Sequence, residues 1–264
     1  MDQESQSTIS EHLRNWGDDL RLAVALLSRI PVPLPQPASV DADRMARAQR
    51  AFPLVGAMVG LVVAMVDRGL LAISIPELAA AAVTLGASAA LTGALHEDGL
   101  ADVGDGFGGG RDRATKLAIM RDSRIGTYGV LALLISFVAK CSALASLPIA
   151  AIVPALVVVH TLARAAIPVV TANMPFARDD GLGRSAGRPG TASAVIAAVI
   201  ASVIALLCLP IGVAALAVIV TAAAAAAMAG LAWRQIGGVT GDVFGAIEQT
   251  AETAVLLLLA AHYA

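Results

Sequence analysis

His96-Glu97-Asp98-Gly99-Leu100-Ala101-Asp102-Val103-Gly104-Asp105-Gly106 stands between two long apolar stretches, Leu78 to Leu95 and Tyr128 to Leu147. Four carboxylates and three glycines fall within residues 97–106. Apolar stretches of this length can cross a bilayer core of about 30 Å, so the polar segment lies at a membrane edge. Read as a helix, it puts Asp98, Asp102 and Asp105 at i, i+4 and i+7, within roughly 60° of one another on one face. Three like charges on one face repel, which costs stability unless a cation joins them. An all-oxygen set suits a hard divalent ion such as Mg2+, which usually bridges carboxylates to substrate phosphates. We therefore expect Asp98, Asp102 and Asp105 to be catalytic and to bind Mg2+, with Glu97 also in or beside the metal's ligands. The glycines leave space for a phosphate or a second backbone. A solvated acidic loop is the alternative for such a charge run.

The rest of the chain supports the membrane setting. Of 264 residues, 58% are hydrophobic and 14% charged, where a soluble domain carries about 25% charged. Mean hydropathy is +0.78. Aromatics make up only 3%, so the interior must be packed by Ala, Val, Leu, Ile and Gly, the small-residue packing that membrane bundles favour. The fold class expected is all-α, a polytopic transmembrane helical bundle of about seven spans. Residues 1–264 read as one integral-membrane catalytic domain. Within it, residues 1–50 form a cytoplasmic N-terminal helix and a Pro-rich connector. Cys141 and Cys208 lie inside apolar stretches and imply neither disulfide nor zinc. Met1 to Asp19 is polar and has no leader-like apolar core.

Ser10 to Ile30 reads as an amphipathic helix, with Leu13, Trp16, Leu20, Val24 and Leu27 on one side and Arg14, Asp18, Asp19 and Arg21 on others. Pro31, Pro33, Pro35 and Pro37 then enforce an extended connector. The expected spans are Phe52 to Val66 (prolonged towards Ile75), Leu78 to Leu95, Tyr128 to Leu147, Ile149 to Thr171, Ala192 to Leu209, Ile211 to Trp233 and Val243 to Tyr263. If successive spans pair as hairpins, the arginines before the first span, those at 111–124 and 178–188, and Arg234 share one face. By the positive-inside rule that face is cytoplasmic. The expected location is the bacterial inner (cytoplasmic) membrane, multi-pass, with the active site facing the cytoplasm. Net charge is −2 and the charges are segregated; the partners expected are small phosphorylated substrates and membrane lipid, not nucleic acid, with a homo-oligomer left open.

Three further constellations lie on the same face. Arg121-Asp122-Ser123-Arg124 sets two arginines three apart, a clamp for a diphosphate if they share a helical face; ordinary topology signalling is the alternative. Ala177-Arg178-Asp179-Asp180-Gly181-Leu182-Gly183 could hold a ribose or a second metal, or be a solvated turn. Gly237-Gly238-Val239-Thr240-Gly241-Asp242 could offer backbone N–H groups to an anion at a helix start. Deeper in the last span, Glu248 and Glu252 share a face, and isolated carboxylates there would be expensive. We expect that face to line a polar cavity beneath the metal site, with Arg164 as charge partner. Asp242 is the preferred general base and Glu248 the fallback. His160 reads as a packed or hydrogen-bonded histidine rather than a ligand, while His96 abuts the acids.

These residues together resemble the bacterial cobalamin synthases, the adenosylcobinamide-GDP ribazoletransferases. The resemblance covers nearly the whole chain, including Ser28-Arg29-Ile30-Pro31-Val32-Pro33 and Phe52-Pro53-Leu54-Val55-Gly56. It is strongest in His96 to Gly106 with Ile119-Met120-Arg121-Asp122-Ser123-Arg124-Ile125-Gly126-Thr127, and extends to the loops at 177–183 and 237–242. It implies that adenosylcobinamide-GDP is joined to α-ribazole, or its 5′-phosphate, with release of GMP and a requirement for Mg2+. The acidic spacing is also similar to that of the CDP-alcohol phosphotransferases, but after Asp98-Gly99-Leu100-Ala101 comes Asp102 rather than their Ala-Arg continuation. An ion-coupled transporter using Glu248 and Glu252 would not need the acid, glycine and arginine loops. The site residues expected are thus Asp98, Asp102, Asp105, Asp242 and Glu248 for catalysis, and His96, Arg121, Asp122, Ser123, Arg124, Arg178 and Thr240 for substrate.

Overall fold

A computed structural model describes residues 3–34 and 42–264, with side chains from residue 15 onward. Pro35 and Pro37 of the connector, and the side chains of Leu13 and Arg14, lie outside the described residues. In chain order the helices are α1 (Gln3–Leu27), α2 (Ala42–Ala48), α3 (Phe52–Ala72), α4 (Glu77–Thr92), α5 (Leu95–Gly109) and α6 (Arg113–Ile119). They continue as α7 (Thr127–Ala145), α8 (Ile149–Asn173), α9 (Leu182–Ser185), α10 (Thr191–Cys208), α11 (Ile211–Ile236) and α12 (Gly241–Tyr263). Among the described residues the only β pairing is a single bridge between Phe176 and Val239. The chain is an all-α, multi-pass membrane bundle.

Six helical segments are long and apolar enough to cross a membrane: 42–72, α7, α8, α10, α11 and α12. One of the seven expected spans, Leu78 to Leu95, is altered. Helix α4 has 16 residues, and α5 follows it at a bend of 95°. Two successive left-handed residues make that corner, Gly93 (φ 70°) and Ala94 (φ 55°). A Cβ-bearing residue pays about 1–2 kcal/mol there. The corner is clamped by Arg29, whose N–H donates to Leu91 O at 2.8 Å and whose side chain lies against Gly93. Thus the acidic segment is helical, as its spacing predicts, but it is turned across the charged face instead of extending the span. Pro76, Pro148 and Pro210 stand immediately before α4, α8 and α11 on the opposite side, where a residue without an N–H loses nothing at a helix start.

Small residues set the spacing of the bundle. On α3, a Cβ at Gly56 would run into the His160 carbonyl of α8, and one at Gly60 into the Leu156 carbonyl. The two backbones run antiparallel in direct contact, the small-xxx-small packing of membrane helices. Helix α1 packs Leu22, Ala23, Val24 and Leu27 inward and ends at Leu27. Asp19, expected on a polar face, is fully buried. It accepts from Arg47 at 3.3 Å and pairs with Arg50 at 2.8 Å, and Arg50 in turn lies over Trp16 at 4.0 Å. The helix that reads as amphipathic is therefore tied by ion pairs to α2 and to the turn between α2 and α3, as well as by its apolar stripe. Leu20, expected on that stripe, is 38% exposed.

Replacing Gly60 by Val should force α3 and α8 apart. The expected cost is about 1–3 kcal/mol or more, read as a lower thermal midpoint of the detergent-purified chain; an unchanged midpoint would show that this contact does not set the spacing.

Candidate active site

The site is built where α5 crosses α12. A Cβ on Gly99 would meet the Asp242 carbonyl at 2.7 Å, and one on Gly245 the His96 carbonyl at 2.9 Å. Only glycine at both places lets the backbones come this close, and the closeness brings Asp98 and Asp242, each in the first turn of its helix, to one cavity. At its other end α5 meets α7 through Gly104 and Gly129. There Asp105 is buried and accepts backbone N–H bonds from Gly126 at 2.6 Å and Gly129 at 2.8 Å. Both of its oxygens are thus engaged in holding the start of α7, a positioning role that the i, i+7 spacing does not reveal.

Asp98, Asp102, Asp105 and Asp242 do gather electrostatically. Burial, then the charges of Asp98, Asp242 and Asp105, push the Asp102 carboxyl up to about 7, against a smaller opposing effect of Arg178. Asp242 accepts from Thr240 Oγ1 at 3.2 Å and pairs with Arg178 Nη2 at 3.3 Å. Thr240 also caps α12 by accepting the Val243 N–H at 3.3 Å. Arg178 is held at this cavity with its Nε and Nη1 buried and without a hydrogen-bond acceptor.

The loops of the charged face are tied to one another. Ala177 N–H donates to Val239 O at 2.8 Å and Val239 N–H to Pro175 O at 2.9 Å. Arg113 donates to Ile236 O at 2.8 Å and also to Ala177 O. Arg121 and Arg124, however, do not share a helical face. Helix α6 ends at Ile119, and both arginines lie in the turn between it and α7. Arg121 grips Asp180 at 2.6 and 2.7 Å. Arg124 folds back on Asp122 at 2.6 Å and points into solvent. Those hydrogen bonds hold the exposed Asp122 carboxyl down at about 2. Ser123 is exposed.

Glu97 and Glu248 belong elsewhere. Glu97 is one residue, hence about 100°, around α5 from Asp98; it lines a second cavity with Lys140 and Gln249, and its charge is felt by Arg164. Its expected place among the metal's ligands is not where the side chain goes. Glu248 is fully buried. It pairs with Arg164 Nη1 at 2.6 Å and His96 Nδ1 at 3.2 Å, and accepts from Gln249 at 3.1 Å. Glu252 is bonded to Arg164 at 3.1 Å, Lys140 at 3.4 Å and His160. The inward face of α12 therefore meets a filled ion network rather than the wet cavity expected, and Glu248 is removed from the surface where substrates arrive. His160 is a hydrogen-bonded member of this network, one of the two readings expected for it. Lys140 and Gln249 were not singled out by the sequence reading, although Lys140 is the one charge within Tyr128 to Leu147, and such a charge at membrane depth calls for a partner.

The cavity at Asp98, Asp242 and Arg178 has a volume of about 160 Å³ and includes His96. The chain matches the model of a family described as cobalamin-5-phosphate synthase over residues 19–260. The chain belongs to this family. It is 46% identical to an adenosylcobinamide-GDP ribazoletransferase of Bradyrhizobium diazoefficiens, covering 96% of each chain. Relatives with the same name from a Sinorhizobium species and from Sinorhizobium medicae are 44% and 42% identical, covering 93% and 94% of this chain and 97% and 98% of theirs. No solved structure matches the chain. Cobalamin-5-phosphate synthases are enzymes that transfer a substituted phosphate group in cobalamin synthesis.

The two acidic groups should separate by experiment. Glu252→Ala leaves Arg164 and Lys140 short of a partner, and a broken buried pair costs about 3–5 kcal/mol, so thermal stability should collapse. Asp98→Asn touches no ion pair and should change stability by no more than about 0.5 kcal/mol while turnover falls. The reverse pattern would exchange the roles of the two groups.

Proposed function

We propose that this chain is an adenosylcobinamide-GDP ribazoletransferase whose reaction centre is the cavity shared by Asp98 and Asp242. A ribose hydroxyl of α-ribazole, or of its 5′-phosphate, attacks the phosphorus bonded to cobinamide. The new P–O bond forms to the ribazole, the P–O bond to GMP breaks, and the hydroxyl proton passes to Asp242. The product is adenosylcobalamin or its 5′-phosphate. The observation that carries this reading is the meeting of Asp98 and Asp242 at a cavity that also holds Arg178, with Asp102 close enough to feel both charges, in a chain of this family.

The donor set fits Mg2+. Asp98 and Asp102 supply hard oxygen ligands outside the buried ion network, and the repulsion that adds to burial in raising the Asp102 carboxyl falls when a dication is present. Asp98 and Asp102 would hold the ion, with Asp242 beside them; the ion's chemistry is to offset charge on the phosphates. Asp105 holds the first turn of α7 in place beside them.

Arg178 and Arg121 bind the diphosphate. In the ligand-free chain Asp180 stands between them, bonded to Arg121 and 3.7 Å from Arg178 Nε. Asp180 is 64% exposed in its side chain, and an exposed ion pair is worth only about 0–1 kcal/mol. A diphosphate, with better geometry for guanidinium forks, displaces it at little cost. Thr240, His96, Asp122, Ser123 and Arg124 line or border the same face, Arg124 from its solvent side. The charged loops share one face of the bundle; by the positive-inside rule this face is cytoplasmic, in the bacterial inner membrane, with residues 1–50 on the same side.

Purified chain supplied with adenosylcobinamide-GDP and α-ribazole should release GMP. Chelation of divalent metal should stop the release, and added Mg2+ restore it. Asp98→Asn and Asp102→Asn should each lower kcat by about a hundredfold or more, the range found when a transition-state contact is lost. GMP release that survives chelation, or near-normal turnover in both variants, would sink the assignment. Cysteines introduced at Asp112 and Arg188 should react with impermeant reagents from the cytoplasm, and one at Ser74 from the other side.

A further inference from the structure

The cavity beside the acids has an apolar wall that phosphate transfer does not use. Leu26 of α1, Phe52 of α3, Leu95 of α5, Leu182 of α9 and Phe244 of α12 form it. One polar side chain enters that wall. Gln49 is 1% exposed. Its Nε2 donates to the carbonyls of Ala186 and Gly187, each at 3.0 Å, which fixes the amide's orientation. Its Oε1 is buried with no hydrogen-bond partner. A buried acceptor held in place without a donor carries a desolvation penalty that a ligand's N–H or O–H would remove.

We propose that this cavity is the acceptor subsite: the apolar wall receives the flat bicyclic base of the ribazole, and Gln49 Oε1 accepts from a ribose hydroxyl. The proposal rests on the reading that transfer takes place at Asp98 and Asp242. Reach favours the acceptor. Its base hangs on the same sugar as the attacking hydroxyl, one ribose from the reacting phosphorus, whereas guanine lies beyond a second phosphate and its own ribose. Chemistry favours it too. A dimethylbenzimidazole presents methyl and C–H edges and a single ring acceptor. Guanine carries donors and acceptors along both edges, and an apolar wall with one free acceptor would leave most of them unpaired. The pocket's specificity then has a simple origin: apolar contact selects the base, and an aligned amide selects the sugar.

Leu182 is 62% exposed at the mouth of the cavity and can carry a reporter without disturbing the bundle. Full-length chain bearing Leu182→Cys in a Cys141→Ala, Cys208→Ala background is labelled with a small maleimide. At ten times its Kd, α-ribazole alone should slow labelling about tenfold, the fraction of sites left open; GDP alone should not. In steady state, a riboside lacking the base's two methyl groups should lose roughly tenfold or more in kcat/KM. Leu182→Asp should raise KM for the acceptor and leave KM for the GDP-linked donor unchanged. Protection by GDP in place of α-ribazole, protection by neither, or a rise in the donor's KM alone would overturn the proposal. Asp98→Asn separates the two levels. Full transfer in that variant sinks the underlying reading whatever the labelling shows, whereas lost transfer without α-ribazole protection sinks the base pocket alone.

Discussion

Burying Glu248 and Glu252 one turn apart on α12 is the constraint around which the bundle is arranged. Neither carboxylate can stay charged at that depth without cations, and the cations come from separate helices. Arg164 reaches in from α8, Lys140 from α7, and His96 from α5 touches Glu248. Removing one member leaves a buried charge, so the network penalises rotation of any of these four helices about its own axis. Apolar packing among Ala, Val and Leu side chains would discriminate such rotations far less, because one small side chain replaces another at little cost. The His96–Glu248 contact carries the consequence to the surface. It fixes the first turn of α5 against α12, where the glycine crossing sets Asp98 beside Asp242.

The chain treats two groups of carboxylates in opposite ways. Within the bundle, each glutamate of α12 has several partners at hydrogen-bond distance. On the charged face, Asp98 and Asp102 lie outside that network, and Arg178 reaches only Asp242 and Asp180. Arginines are plentiful nearby, yet Arg113 is spent on backbone carbonyls and Arg124 on its own neighbour. Repulsion left standing beside a network that pairs the two glutamates of α12 so closely marks a place kept for something else, which is the physical content of the link between perturbed carboxylates and function.

Much of this was readable in the chain itself. The apolar blocks between Pro148 and Pro210 became α8 and α10, and the i, i+4, i+7 spacing of the aspartates survived as a real helix face, because such patterns report one helix at a time. What failed were statements that depend on a second segment. The bend at Gly93 and Ala94 follows from Arg29 clamping the corner, and Ala94 has no left-handed signature in the sequence. Helix α6 stops at Ile119, so Arg121 and Arg124 lose the common face that their spacing offered. Asp105 reads as one more ligand until α7 arrives with two backbone N–H groups. Asp19 reads as a surface charge until α2 and the turn after it bring Arg47 and Arg50. Long-range pairing is the part that hydrophobic periodicity does not encode.

Helix ends explain why an acid cluster of this density is tolerated before any ligand binds. Asp98 and Asp242 each occupy the first turn of a helix, α5 and α12, where unsatisfied N–H groups and the aligned peptide dipoles favour negative charge. Asp105 lies at the start of α7 and takes two of its N–H groups directly. Asp102 alone sits mid-helix, one turn beyond that benefit, and it is the acid whose carboxyl is driven up to about 7. Burial and the charges of three neighbouring acids meet on Asp102, which has no helix start to offset them. The bend between α4 and α5 is what makes this grouping possible. A straight seventh span would carry α5 away from the start of α12 and leave the aspartates on one helix with nothing to offset them.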